Sequence, residues 1–320
     1  MGYRLGVLMD PLPGIKPWKD STVAMLLEAQ SRGHRLEVFT PADLALRDGR
    51  AWARTAALTL RDTRQDWYQL APPRATPLAD FALILARKDP PFDARFLHDT
   101  LVLDLAAREG VLVSNAPQAL RDANEKLAAL WFPQHAPPSR VSRDIADLRE
   151  FVDATGEVVL KPLDAMGGQS IFKTHPADPN LNVILETLTH EGREFAIAQQ
   201  FLPEAALGDK RILLIDGEPV PFALARIPQG RDFRGNMARG GKAVVQALTE
   251  SDRALALDVG AELKRRGLMF VGLDVIGTRL TEVNVTSPTG IREIDTQAGT
   301  RIAATLFDRL DAAVAAHRRA

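Results

Sequence analysis

A chain of 320 residues, 46% hydrophobic and 25% charged, has the length for two or three compact units and the composition of a folded globular protein. Forty Lys and Arg against 41 Asp and Glu leave a net charge of −1, which excludes a global basic field for nucleic acid or a membrane surface, so any anion site must be local. Cysteine is absent, which excludes disulfides, thiolate nucleophiles and Cys-based metal sites and suits a reducing cytoplasm. The N-terminal residues lack the long apolar region of a signal peptide, Gly6 stands where myristoylation needs Ser or Thr, and no apolar run approaches the ~18 residues that cross a bilayer. The six histidines are scattered with no HxxxH pair, so a His-based metal site is not expected.

In chain order, the first third alternates strand and helix patterns. Leu5–Met9 is a short apolar run ending at Asp10-Pro11; Ser21 caps an apolar-periodic helix through Leu27, which Gly33 stops; Leu36–Phe39 is a second strand. Phe81–Ala86 and Val111–Val113 are further strands, with a helix from about Phe92 to Arg108 between them and a stop at Gly110. This is βαβ grammar, and it predicts a Rossmann-like parallel-sheet domain over residues 1–123. No GxGxxG follows Leu5–Met9, so the dinucleotide fingerprint is missing.

From Asn124 the texture changes. A Pro-containing link (Phe132-Pro133 to Pro137-Pro138) leads to a helix near Asp144–Ala154, then to shorter strands joined by Gly-rich turns: Val158–Lys161, Ser170–Lys173, Phe195–Phe201, Arg211–Ile215 and Pro219–Ile227. A helix at Ser251–Arg266, a hairpin over Met269–Val285 and an Ala-rich helix from about Thr300 to Arg318 close the chain. Hairpins replace crossovers, so the fold class is α/β followed by α+β, with a central domain over 124–203 and a C-terminal domain over 204–320.

The sharpest chemical signal is Asp274 in Phe270-Val-Gly-Leu-Asp-Val-Ile, followed by Glu282 and Asn284 in Leu280-Thr-Glu-Val-Asn-Val. On a strand Glu282 and Asn284 share a face while Val283 and Val285 take the other. A three-residue loop, Gly277–Arg279, puts Asp274 directly opposite Glu282; a two-residue loop puts it on the opposite face. Two carboxylates and an amide oxygen suit a hard cation such as Mg²⁺ that shares its shell with phosphates. Asp164-Ala-Met-Gly-Gly-Gln-Ser lies between strands, so it is no Walker A loop, yet Gly167 and Gly168 allow backbone N–H groups to approach phosphate closely. Lys161 and Lys126 are point charges suited to phosphate oxygens. The long Gly- and Arg-rich stretch Ile227–Lys242, with Arg231, Arg234, Arg239 and Lys242, reads as a cationic flap over an anionic site. Arg211 and Arg226, at the ends of neighbouring strands, are placed to neutralise charge on a transferring phosphoryl group. Ala198-Gln-Gln-Phe-Leu-Pro offers alternating backbone groups beside an apolar neighbour for adenine, and Asp209 follows within reach of a ribose hydroxyl.

These segments, together with Arg87-Lys-Asp-Pro-Pro-Phe-Asp, Asn115-Ala-Pro-Gln-Ala-Leu-Arg-Asp-Ala-Asn-Glu-Lys, Leu160-Lys-Pro-Leu-Asp-Ala-Met-Gly-Gly and Thr281-Glu-Val-Asn-Val-Thr-Ser-Pro-Thr-Gly-Ile-Arg-Glu, resemble the bacterial glutathione synthetase family of ATP-grasp ligases, in order and over essentially the whole chain. The resemblance implies an ATP-grasp fold and ATP-dependent joining of γ-glutamylcysteine to glycine through an acyl phosphate. It implies ATP contacts at Lys126, Lys161, Gly167, Gly168, Gln200, Leu202 and Asp209, and metal ligation by Asp274, Glu282 and Asn284 to Mg²⁺, or Mn²⁺ in its place. It further implies charge stabilisation by Arg211 and Arg226, and contacts to peptide or glycine from Arg87, Ser287, Thr289 and Arg292. A cytoplasmic homotetramer without nucleic-acid or membrane partners completes the expectation. Arg231-Asp-Phe-Arg in the flap and Gly290 depart from the family pattern. Two other readings stand beside it: a ligase of the same group with different partners, and a regulatory ATP-binding module without turnover.

Overall fold

The computed structural model describes residues 2–164, 167–228 and 242–319. The first lobe comprises β1 (Arg4–Met9), α1 (Ser21–Ser31), β2 (Arg35–Phe39), β3 (Leu44–Arg47), β4 (Arg50–Leu60), β5 (Tyr68–Leu70), β6 (Arg74–Pro77), β7 (Leu83–Arg87), α2 (Ala94–Arg108), β8 (Leu112–Ser114) and α3 (Pro117–Asp122). β1 and β7 are apolar almost without interruption because helices cover both faces, and β2, β1, β7 and β8 run parallel in that order. The expected parallel sheet is in fact mixed: β4 is antiparallel to β2 and carries β3, β5 and β6 as antiparallel partners. The sequence RAWARTAALTL of β4 alternates buried and exposed positions, but alanines take the places where β-branched residues would announce a strand. A second correction concerns the first helix. Its cap is Asp20, whose carboxylate accepts from the Val23 N–H at 2.8 Å, and Ser21 is instead the first helical residue, accepting from the Ile291 N–H at 3.2 Å.

The second lobe comprises β9 (Ser139–Ser142), α4 (Ile145–Thr155), β10 (Val158–Pro162), β11 (Phe172–Thr174), α5 (Leu181–Leu188) and β12 (Ala196–Gln200). Its antiparallel sheet, ordered β11-β10-β12-β9, packs against α4 and α5 around Leu148, Val152, Leu160, Leu185 and Ala198. This core draws every residue from within the lobe. The short α5, of 8 residues, is not among the expected elements.

The third lobe comprises β13 (Asp209–Ile215), β14 (Glu218–Ile227), β15 (Lys242–Ala247), α6 (Glu250–Arg265), β16 (Phe270–Ile276), β17 (Arg279–Asn284), α7 (Ile291–Ala298) and α8 (Ile302–His317). Its antiparallel sheet runs β15-β14-β13-β16-β17. One face meets α6 through Ile212, Val271, Leu273 and Val283 in a core that also holds Phe96, Leu103 and Leu120 of the first lobe. The other face meets α7 and α8 through Leu213, Ile215 and Phe307 in a core that also holds Leu5, Val23 and Leu85. Both cores therefore run continuously from the first lobe into the third.

Polar staples reinforce this union. The Asn115 amide donates to the carbonyls of Phe270 (2.9 Å) and Val285 (2.7 Å), and its oxygen accepts from the Phe270 N–H at 2.9 Å. Glu125 lies along the outer edge of β17, accepting from the N–H groups of Val285 (2.9 Å) and Thr286 (3.1 Å), while its own carbonyl accepts from Val283 at 2.8 Å. The link between the first two lobes thus covers a sheet edge that would otherwise be unpaired. Among the described residues no helix is long and apolar enough to cross a membrane.

Candidate active site

The register of the third sheet gathers the charged residues on one face. Asp209 pairs with Arg226 across β13 and β14, Arg211 pairs with Asp274 across β13 and β16, and Asp274 pairs with Glu282 across β16 and β17. The hairpin loop is the two residues Gly277–Thr278, because Ile276 faces Arg279 and Val275 faces Leu280. That loop by itself would turn Asp274 away from Glu282. A β-bulge between Asp274 and Val275 leaves Thr281 as an extra residue, anchored by its hydroxyl donating to the Asp274 carbonyl at 3.1 Å, and so restores the pairing. Leu280 and Val283 then both point into the apolar core, while Glu282 and Asn284 point with Asp274 into the cleft.

Arg211 grips Asp274 with two hydrogen bonds, Nε to Oδ1 at 2.5 Å and Nη2 to Oδ2 at 2.8 Å. Arg226 reaches the same Oδ2 at 2.8 Å and forms a bidentate pair with Asp209. Gly272 makes room for this clamp: a Cβ there would lie 2.7 Å from Arg211 Cδ and 2.9 Å from Pro288 Cβ. Burial opposes the charge on Asp274, but the guanidiniums of Arg211 and then Arg226 outweigh it and hold the carboxyl well below the usual range. Burial raises Asp209 despite its pairing with Arg226.

These groups line a cavity of about 510 Å³ between the second and third lobes, closed at one end by the first. From the opposite wall come Lys126, Lys161, Gly167, Gly168, Gln200 and Leu202. Lys161 donates to Gln199 Oε1 at 3.0 Å; burial lowers its pKa, while Glu282 across the cleft acts in the other direction. Gly167 and Gly168 adopt φ of +63° and +76°, the left-handed region that side-chain-bearing residues avoid. The Gln200 N–H is taken by the Pro138 carbonyl at 2.9 Å, whereas among the described residues the Leu202 N–H has no acceptor. Arg231, Arg234 and Arg239 of the expected flap lie outside the described residues; Lys242 opens β15, paired with Ile227.

The third wall holds Ser287 and Thr289, as expected, but neither Arg87 nor Arg292 lines the cavity. Arg87 is buried behind it, with Nε donating to Thr22 Oγ1 at 3.1 Å, Nη2 to the Pro288 carbonyl at 2.9 Å, and its guanidinium 5.5 Å from the Phe270 ring centre. Burial lowers its pKa to about 10. It fixes the Ser287–Thr289 wall through a carbonyl. Arg292 turns to a separate surface hollow, where Nη1 meets Asp62 at 2.8 Å.

The donor set at the head of the cleft fits a hard cation. Among the described residues no three His, Asp or Glu side chains form a metal cage, so the Asn284 amide is needed. The Asn284 NH₂ is spent on the Gly272 carbonyl at 3.2 Å, leaving its oxygen as the free end. Asp274 is ionised, and each carboxylate oxygen has two lone pairs, so the arginine clamp and cation ligation are compatible.

Residues 3–121 match the family model "Prokaryotic glutathione synthetase, N-terminal domain" and residues 125–299 match "Prokaryotic glutathione synthetase, ATP-grasp domain". The chain belongs to the prokaryotic glutathione synthetase family. The glutathione synthetase of Xanthomonas campestris pv. campestris is 57% identical over 315 residues, covering 98% of this chain and all of the relative. That of Escherichia coli is 50% identical over 309 residues, covering 97% and 98%. Among solved structures, the D-cycloserine synthetase DcsG superposes with a TM-score of 0.65 at 15% identity, covering 96% of this chain and 99% of its own, and the ATP-grasp ligase PsnB with 0.63 at 19% identity, covering 99% of each, which with the family match shows the ATP-grasp fold. The activity is therefore that of a glutathione synthetase, ATP-dependent formation of glutathione.

Within a glutathione synthetase frame, sequence reading missed Lys19, Asp20, Asp89, Glu125 and Glu293, all in the cavity wall. Glu293 neighbours Arg292 and Glu125 neighbours Lys126 in the sequence, and one residue along a helix such as α7 turns the side chain by ~100° onto another face.

Proposed function

We propose that the cleft phosphorylates the cysteinyl carboxylate of γ-glutamylcysteine with the γ-phosphate of ATP and then lets the glycine amine displace phosphate. The carboxylate oxygen attacks phosphorus and ADP departs; the amine attacks the acyl carbon, loses a proton and expels phosphate, leaving the new amide. The observation that carries this reading is the single polar sheet face, with Arg211, Arg226, Asp274, Glu282 and Asn284 in register, opposite Lys126 and Lys161. Phosphoryl transfer asks mainly for position and charge compensation, and this face offers both without a nucleophile.

In this reading Lys126, Lys161 and the Gly167–Gly168 turn hold the ATP phosphates, the Gln200–Leu202 backbone meets adenine, and Asp209 meets the ribose. Arg211 and Arg226 compensate charge on the phosphoryl and acyl-phosphate oxygens. Asp274, Glu282 and Asn284 hold Mg²⁺, or Mn²⁺, which when bound neutralises charge on the phosphates. Ser287 and Thr289 face the peptide, and Arg87 acts on that wall through Pro288. Domains over 1–123, 124–203 and 204–320, a homotetramer and a cytoplasmic setting complete the proposal through the family resemblance.

The test is phosphate release from Mg-ATP with γ-glutamylcysteine and glycine supplied singly and together, beside mass detection of the tripeptide. Release that needs both substrates and equals tripeptide formed supports the sequence of steps. Glu282→Gln should abolish turnover with the fold intact; full activity at ordinary Mg²⁺ would refute the ligand assignment.

A further inference from the structure

Lys126 and the strand that carries Glu282 and Asn284 lie far apart in the sequence, yet a phosphate held between them needs both at one spacing. Glu125, the residue before Lys126, joins them. The hydrogen bonds to its side chain all fall on Oε1: the Val285 N–H at 2.9 Å, the Thr286 N–H at 3.1 Å and the Thr286 hydroxyl at 2.9 Å. Its main-chain carbonyl takes the Val283 N–H at 2.8 Å, so Glu125 holds the strand on both sides of Asn284. The stretch after Lys126 is fixed to the same sheet. Ala128, Ala129 and Phe132 sit in the core that holds Val271, Leu273 and Val283, and the His135 carbonyl accepts from the Leu280 N–H at 2.9 Å. Lys126 therefore takes its position from the third sheet, whereas Lys161 takes its own from β10 of the central lobe.

Covering a sheet edge needs only backbone pairing, which the Glu125 carbonyl already supplies. The carboxylate does something more: it lines the cavity and gathers three donors where β17 ends and the Ser287–Thr289 wall begins. We propose that Glu125 is a positioning residue for phosphoryl transfer, holding Lys126 and the Glu282–Asn284 pair at one fixed spacing through Oε1. This rests on the reading above, in which Lys126 meets an ATP phosphate and the pair holds the cation. Mg²⁺ demands near-ideal octahedral geometry, so a ligand displaced by a fraction of its bond length is felt as lost affinity. The action is one of reach and not of charge, because a neutral amide oxygen in the same place accepts the same three donors.

The experiment compares Glu125→Gln, which keeps the reach and removes the charge, with Glu125→Asp, which keeps the charge and draws the oxygens back by one methylene. Mn²⁺ is the probe, titrated into the protein with ADP and into ADP alone, and electron paramagnetic resonance of the free ion gives the uptake due to the protein. The Mg²⁺ concentration for half-maximal rate and kcat are measured beside it. Glu125→Asp should weaken Mn²⁺ uptake by roughly 10- to 100-fold, raise the half-maximal Mg²⁺ concentration and lower kcat. Glu125→Gln should stay within about threefold of the unaltered protein in all three. A Glu125→Asp protein that melts earlier but binds Mn²⁺ as before would show a purely structural role and overturn the proposal. So would a Glu125→Gln protein that loses as much as Glu125→Asp, since charge would then be the cause. If the unaltered protein with ADP takes up no Mn²⁺, the ligand reading itself fails and the proposal falls with it.

Discussion

The central lobe and the body formed by its two neighbours are held together differently. The body has two cores, each with side chains from both the first and third lobes, and the buried Asn115 ties β16 and β17 to the strand β8 it follows. The central lobe has one core, drawn entirely from residues 145–198. Shared cores make two lobes one cooperative unit, whereas a closed core lets a lobe open or move as a piece. The cavity lies at that boundary, between the lobe with its own core and the charged sheet face.

The strongest attempt to break this comparison is Asn115→Ala. It leaves the Phe270 N–H and two carbonyls without partners and should cost the body roughly 3–5 kcal/mol in urea unfolding. Both lobes of the body should lose hydrogen-exchange protection together; loss confined to the first would show that they are separate units. Next in size, Leu185→Ala empties a fully buried position in the central core and should cost about 2–4 kcal/mol. That loss should appear as an earlier unfolding of the central lobe and weaker ATP binding, with the body's midpoint unchanged. A single shifted transition for the whole chain would contradict the division.

The smallest effect sharpens the picture through pH. Burial opposes ionisation of Glu37, but the Thr55 hydroxyl and then Arg4 outweigh it and lower its pKa below 4.5. A carboxyl lowered in the folded state adds stability that is present above its unfolded value and is lost as pH falls through its folded one. The body should therefore weaken below about pH 4.5, and Glu37→Gln should flatten that fall while lowering stability at neutral pH. Chemical unfolding followed at a series of pH values reads both; an unchanged slope would discount the Glu37 network.

Much of the fold was legible because apolar runs such as Leu5–Met9 and Phe270–Ile276 announce buried strands, and polar residues set among them announce a site. What stayed hidden depends on contacts between distant segments. β4 looks like no strand until its alanines pack, and Arg87 looks like a ligand-binding cation until Thr22 and Pro288 take it. Glu293 and Lys19 share one cavity wall although they lie at opposite ends of the chain.

The Thr281 bulge has a further consequence, which concerns how this stretch of sequence can drift. A strand has two faces, so adding or removing a residue acts on it as a frameshift acts on a codon series. Removing Val283, which sits in the regular ladder, would turn Asn284 into the apolar core and Val285 into the cleft, whereas Thr281, as the extra residue of the bulge, could be lost with Asp274 still opposite Glu282. Point changes in the Gly277–Thr278 turn leave that phase alone. The bulge position can therefore absorb a change in residue number that the paired positions around it cannot, a constraint set by parity and separate from the chemistry of the Asp274, Glu282 and Asn284 side chains.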